Sequence, residues 1–329
     1  MPQERVIIAH SLVKEGHQQI RGWTEDAEIV FSDDFFKTRT RVLEKGNKFL
    51  LTSDFFFAVQ VDDEDVQNVK LYVGNPYQSE YKLNPIALPG KKQSKKNKNK
   101  DSKLLEHSYT ILDTTEGQVF LHINHEGERS KYGSIYVSDS TGQRFALSVR
   151  NNVRNANGQC DFEKVVGLEG IFMANVYDPK MVAKIKEELE ADQEISTSQT
   201  NAEGSARAKS STKAVDARLD KEKRLRELDA SKITLISFDK GGMWERLKAP
   251  KVDSKGEPIE CESDKDCKLN LHSFSVSKYG PFYSTQNSLG IVIGVGNVGT
   301  YLSNKEDEVN TYLSRDGGFS WFEVITVFH

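Results

Sequence analysis

The sequence predicts an all-β fold, a partial β-propeller, on three observations. An eight-residue turn motif recurs along the chain, a short apolar strand precedes most copies, and the shortest interval between copies suits one four-stranded blade. The motif reads Ser, any, Asp, any, Gly, any, any, aromatic, which is an Asp-box turn. Residues 314–321 carry it best, with Ser314, Asp316, Gly318 and Trp321 in the four key places, and residues 237–244 repeat it with Ser237, Asp239, Gly241 and Trp244. Residues 138–145 keep Ser138, Gly142 and Phe145 but put Ser140 where the acid belongs. Fainter traces lie at 74–81, which keeps only the closing aromatic Tyr81, and at 32–36, which keeps Ser32 and Asp34. Copies starting at 32, 74, 138, 237 and 314 predict about five blades, with insertions in the longer intervals.

The strands follow in order at 6–8, 29–31, 49–51, 55–61, 71–73, 119–123, 135–137, 145–150, 170–176, 233–236, 290–293 and 311–313. They are short, rich in β-branched and aromatic residues, and bounded by Gly, Asn, Asp and Ser. In each box the Asp carboxylate accepts backbone N–H groups of its own turn, Gly takes positive φ, and the aromatic closes back on the sheet. Asp239 and Asp316 are therefore read as turn staples and not as acid–base groups.

Residues 1–329 are expected to form this one partial propeller, interrupted twice. A lysine-rich loop at 91–103 has no aromatics between its charges and reads as solvated rather than as a nucleic-acid patch. A charged, low-complexity insertion at 181–229 has two helical flanks with thin apolar stripes and a Ser/Thr/Ala-rich middle read as disordered. Apolar content of 37% with 29% charged residues agrees with stretches that never enter a core, and a net charge of −4 argues against a nucleic-acid partner. No run of about 18 apolar residues is present to span a bilayer.

Several motifs invite chemistry and lose it in context. Gly294, Gly296 and Gly299 spell a dinucleotide fingerprint after a strand, but another strand and a box follow where the helix is required. His122 and His125 fall on and just after a strand, where they point to opposite faces, and no further metal ligands lie nearby. No nucleophile sits in an activating pattern, and neither a cofactor nor a metal is expected. Cys261 and Cys267 flank a polar stretch that admits either a short-range disulfide, worth about 2 kcal/mol, or two free thiols; Cys160 has no clear partner.

Taken together, residues 290–299 with 310–318, the stretch 162–171, the box end Gly242-Met243-Trp244, and Cys261 to Cys267 followed by 268–274 resemble, in this order and spacing, the lumenal propeller of sortilins and of the fungal vacuolar protein sorting receptor for carboxypeptidase Y. The resemblance implies a ten-bladed propeller whose tunnel binds cargo such as vacuolar hydrolase propeptides in the Golgi lumen and releases it in acidic endosomes. It also implies the Cys261–Cys267 disulfide. Cargo would lie partly on the blade that carries Ser138, with an arginine reading a peptide carboxylate. Arg150 is the nearest candidate and Arg144 its competitor, each also readable as a surface arginine at a strand end. His122 and His125 are candidate contributors to acid release.

Five box traces amount to half of such a ring. The chain is accordingly expected to be a fragment or truncated paralogue, without signal peptide, later modules or membrane span, reaching a membrane only through segments it lacks. It is expected not to be an enzyme. The rivals are a sialidase-like glycoside hydrolase, which shares these turns, and a non-functional truncated paralogue whose open edges would pair or aggregate.

Overall fold

In the computed structural model the described residues are 5–11, 27–62, 68–78, 81–89, 104–105, 108–125, 127, 130–200, 210–261, 263, 267–274 and 282–326. The lysine-rich loop at 91–103 lies outside them. Two compact units divide the chain: residues 1–130 with 134–148, and residues 131–133 with 149–329.

In the first unit, β1 (Val6–Ser11), β2 (Ala27–Ser32) and β3 (Thr40–Glu44) form one antiparallel sheet. A second sheet runs β4 (Gly46–Leu51), β5 (Phe56–Val61), β6 (Asn68–Gly74), β7 (Asn84–Pro85), with β8 (Leu104–Leu105) also on β6. Next come β9 (Tyr109–Asp113), β10 (Phe120–Ile123) and β11 (Tyr132–Ser138), followed by β12 (Phe145–Val153), within which the division between the units falls.

β5 shows why these sheets stack. Phe56 and Ala58 pack with Ile29 of the first sheet, while Phe57 and Val59 pack with Val119, Leu121 and Ile123 of the third. A strand buried on both faces must be apolar at consecutive positions, which is the run seen at 55–59 instead of strict alternation.

The second unit repeats the plan. β13 (Phe162–Lys164), β14 (Phe172–Tyr177), β15 (Lys232–Ser237) and β16 (Glu245–Lys248) make one sheet. The next has its first strand in two pieces, β17 (Lys268–Leu271) and β18 (Tyr283–Ser284), both on β19 (Val292–Val298), then β20 (Asn310–Ser314) and β21 (Phe322–Thr326). Only Leu247↔Leu269 and Lys248↔Lys268 join the two edge to edge. Face to face they share a core in which Met173, Ile236 and Leu247 meet Leu271, Val292, Tyr312 and Trp321.

Between β14 and β15 the chain leaves the sheet as α1 (Pro179–Thr200) and α2 (Ser210–Asp229). Both helices run well beyond the charged flanks expected from sequence. Their bases are held by burial, since Val182, Ile185 and Leu228 pack on Val153 and Tyr177, and by charge, since Lys184 reaches Glu227 at 3.2 Å and Arg224 reaches Glu188 at 3.2 Å. Lys131 and Tyr177 both bond Asp229 at the end of α2. Among the described residues no helix is long and apolar enough to cross a membrane. Cys261 and Cys267 are disulfide-bonded with Cα atoms 5.5 Å apart, and Cys160 is buried outside that disulfide with its Sγ 3.6 Å from the Gly158 carbonyl.

Candidate functional site

Three turns share one hydrogen-bond pattern. Ser314 Oγ donates to Asp316 Oδ1 at 2.8 Å and accepts the Gly318 N–H at 2.8 Å, while Asp316 Oδ1 accepts the Ser320 N–H at 2.9 Å. Ser237, Asp239, Gly241 and Met243 reproduce these contacts at 2.8, 2.9 and 2.8 Å. Trp321 and Trp244 close their turns by donating Nε1–H to the carbonyls of Gly318 and Gly241. The Met243 N–H holds the Asp239 carboxyl below the ordinary carboxylate range. Burial pushes Asp316 up, but the Ser320 hydroxyl and N–H outweigh it and leave the group lowered. These acids act as turn acceptors.

The third turn of this kind is the faint one. Ser32 Oγ donates to Asp34 at 2.7 Å and accepts the Phe36 N–H at 2.8 Å, and Asp34 accepts the Thr38 N–H at 2.9 Å. Phe35 and Phe36 take φ of 57° and 64°, the left-handed values that Gly317 and Gly318 supply without a Cβ. Ser32, Asp34 and Thr38 are the signal that could have found it; Phe36 in the glycine place hides it. Phe36→Gly is expected to be more stable than Phe36→Ala by about 1–2 kcal/mol, since only glycine relieves the backbone. Urea titration of both variants measures the difference, and equal stabilities would refute the strain.

At 138–145 the hydrogen bonds differ. Ser138 is buried, accepts the Val119 N–H at 2.8 Å and donates to the Asp139 carbonyl at 2.7 Å, while Asp139 accepts the Thr141 N–H at 3.1 Å and hydroxyl at 2.7 Å. The acid works one place earlier, and the Gly142 N–H bonds the Asp139 carbonyl. Asn155 with Gly158, and Asp253 with Gly256, make the same Asx-x-x-Gly turn. Arg144 and Arg150 are both exposed, Arg150 on β12. Ser138 thus spends its hydroxyl on the backbone, and the two arginine side chains are exposed to solvent.

Among the described residues β17, one piece of the last sheet's first strand, ladders with both β16 and β19, whereas β1, β4, β9, β13 and β18 each ladder with one neighbour. Such a strand can accept an added extended peptide. On β13, Glu163 Oε1 is sealed without a hydrogen-bond partner, and burial, with Asp161 nearby, pushes its carboxyl up to about 8. A folded-state pKa above the unfolded one makes the neutral acid the native form. Stability therefore falls as pH rises from the unfolded value toward about 8. Glu163→Gln is expected to gain about 2 kcal/mol over the parent at pH 8 and nothing at pH 4, checked by thermal unfolding across that range. His272 is fully buried, which pushes it down to about 4, so it stays neutral above that pH. His122 is buried in β10, whereas His125 Nε2 meets the Tyr136 hydroxyl at 2.7 Å.

A polar network missed by the sequence reading binds the second unit internally. Asn175 donates to Asp161 and to the Leu271 carbonyl, and Thr234 Oγ1 donates to Asn175 and accepts the Leu271 N–H. Asn270 accepts the Thr234 N–H and Arg246 and donates to the Gly299 carbonyl. Single Asn and Thr residues inside apolar strands give no periodic signal, so nothing in the pattern marked them.

Small antiparallel sheets stacked face on face, with Asp-box turns linking β2 to β3, β15 to β16 and β20 to β21, define a β-propeller of the Asp-box class. The family described as "Sortilin-Vps10: Sortilin, neurotensin receptor 3" matches residues 3–206 and 212–329. The chain belongs to this family. Relatives named "Vacuolar protein sorting/targeting protein 10" include those of Mycosarcoma maydis, 28% identical over 94% of this chain and 17% of the relative, and of Debaryomyces hansenii, 26% identical over 90% and 15%. That of Talaromyces stipitatus is 30% identical over 90% of this chain and 16% of its own length. The chain therefore spans about a sixth of the length of these relatives.

Proposed function

We propose that this chain is a cargo-recognising portion of a sorting receptor and not an enzyme. It binds extended peptide segments of vacuolar hydrolases, such as their propeptides, in the Golgi and endosome lumen on the route to the vacuole. Family membership supports the class, and the relatives' name refers to vacuolar protein sorting and targeting. The observation that carries the mode of binding is that, among the described residues, β1, β4, β9, β13 and β18 each ladder on one side only. An added peptide would take main-chain bonds from such an edge and leave alternate side chains for selection. The exposed guanidiniums of Arg144 and Arg150 are the candidate partners for a peptide carboxylate, because a planar fork donates two parallel bonds to it.

Fluorescence anisotropy of a labelled synthetic propeptide of a vacuolar carboxypeptidase tests this. Saturable binding at about micromolar concentration is expected at neutral pH, weaker at endosomal pH, and reduced by Arg144→Ala or Arg150→Ala. Absence of binding at neutral pH, or turnover of a generic sialoside, would overturn it.

A further inference from the structure

Two asparagines share the turn that joins β12 to β13, and only Asn155 spends its side chain there. Its Oδ1 accepts the N–H groups of Asn157 and Gln159, each at 3.0 Å, and its Nδ2 donates to Gln159 Oε1 at 2.8 Å. Asn157 is exposed, and among the described residues its side-chain amide has no hydrogen-bond partner. Gly158 follows it in the left-handed region, at φ 83°. The Arg154 guanidinium lies against that glycine, with Nη2 3.0 Å from the place a Cβ would take.

This arrangement supports an intramolecular reaction. Attack of the Gly158 backbone nitrogen on Asn157 Cγ closes a five-membered ring, and a nucleophile tethered so close gains the effective concentration of a unimolecular step. Glycine has no Cβ to hinder the approach, and the Arg154 cation favours the anionic nitrogen that attacks. Asparagines elsewhere lack one or more of these features. Asn75 and Asn84 precede prolines, which have no N–H to lose. Asn175 and Asn270 are buried with their amides bonded. Asn287 is exposed but is followed by Ser288, whose Cβ obstructs the nitrogen. At the other acid-or-amide pair with glycine, Asp316 and Gly317, the carboxylate is held by the Ser314 hydroxyl and the Ser320 N–H.

We propose that Asn157 is a site of spontaneous deamidation, with the chain's own Gly158 nitrogen as nucleophile. That nitrogen gives its proton to hydroxide and bonds to Asn157 Cγ; the Cγ–Nδ2 bond breaks and ammonia leaves. Water then adds to one of the two ring carbonyls, and the ring opens to aspartate or isoaspartate. Isoaspartate puts an extra methylene into the main chain between residues 157 and 158. The turn there is closed by the Gly158 N–H on the Asn155 carbonyl at 3.1 Å and the Asn155 N–H on the Gln159 carbonyl at 2.9 Å, next to the Arg154–Cys160 bridge. The modified turn loses that closure. The Gly158 bond must open before attack, so the folded chain reacts more slowly than a free peptide of the same sequence. The inference does not depend on what the chain binds.

Incubating the full chain at pH 8 and 37 °C for several days, then mapping tryptic peptides by mass spectrometry, tests it. In the peptide from Asn155 to Lys164 a gain of about 1 Da is expected at Asn157, or about 3 Da when the buffer is made with heavy-oxygen water, and isoaspartate is the main product. The rate is expected to exceed that at Asn287 at least about tenfold, and to fall at least about tenfold at pH 6, where fewer amide nitrogens are anionic. Gly158→Ala is expected to slow it at least about tenfold. Should that variant not fold, Asn157→Gln serves, since its longer side chain closes only a six-membered ring, and no gain at residue 157 is expected. Asn157 changing no faster than Asn287, a rate unmoved by pH and by both substitutions, or aspartate formed without isoaspartate would each overturn the proposal.

Discussion

Gly296→Ala is expected to destabilise the chain by at least about 4 kcal/mol, which would leave much of it unfolded at ambient temperature. A Cβ at Gly296 would stand 1.9 Å from the Asn270 carbonyl oxygen and 2.9 Å from the Leu271 Cα, both backbone atoms of β17. No rotamer change relieves such a clash. β17 would have to leave β19, taking with it Leu269 and Leu271, which are fully buried in the core between the two sheets. Gly299→Ala is the milder control: its Cβ would meet the Asn297 side-chain amide at 3.1 Å and the Tyr301 carbonyl oxygen at an ordinary 3.7 Å, and a cost of about 1 kcal/mol is expected. Urea unfolding of the two variants measures the contrast. Equal costs would mean that close strand packing is not what Gly296 serves.

Asn270→Leu is expected to cost about 3 kcal/mol although leucine is more apolar. Asn270 is fully buried; its Oδ1 accepts from the Thr234 N–H at 3.2 Å and from Arg246 at 3.0 Å, and its Nδ2 donates to the Gly299 carbonyl at 2.9 Å. Removing the amide leaves a buried N–H, a buried carbonyl and part of a guanidinium short of partners, and that desolvation exceeds any gain from the leucine methyls. Arg246 keeps its bond to the Thr300 carbonyl, so the loss is bounded. A double-mutant cycle with Arg246→Met should show a coupling of about 1 kcal/mol or more, because the second substitution removes a group the first left unsatisfied. Additive costs would place the stability elsewhere.

Much of the fold was legible because its signals are local. The boxes at Ser237 and Ser314 need Ser, Asp, Gly and an aromatic at fixed offsets, and each residue makes its contact within the turn. The run at 55–61 announced a strand, and the structure shows it buried on both sides. The strand and box expected after Gly299 are β20 and the Ser314 turn. What escaped was non-local or disguised. Phe36 and Arg39, in the glycine and aromatic places, concealed a turn that makes the Ser and Asp hydrogen bonds of a box, and Ser138, which fits the template, bonds to Val119 instead of bridging its own turn. The apolar stripes of the helical flanks looked too thin for a stable coiled coil, and the helix bases hold because Val182 and Leu228 pack with Tyr177 and Val153.

By itself the sequence determined the all-β class, the positions of the strong turns and the family, since propensities, turn chemistry and spacing act within a few residues. Only the tertiary structure decided which glycine touches backbone and which asparagine carries the buried network. Those depend on the sheet lying opposite, and a neighbour distant in sequence leaves no mark on local pattern.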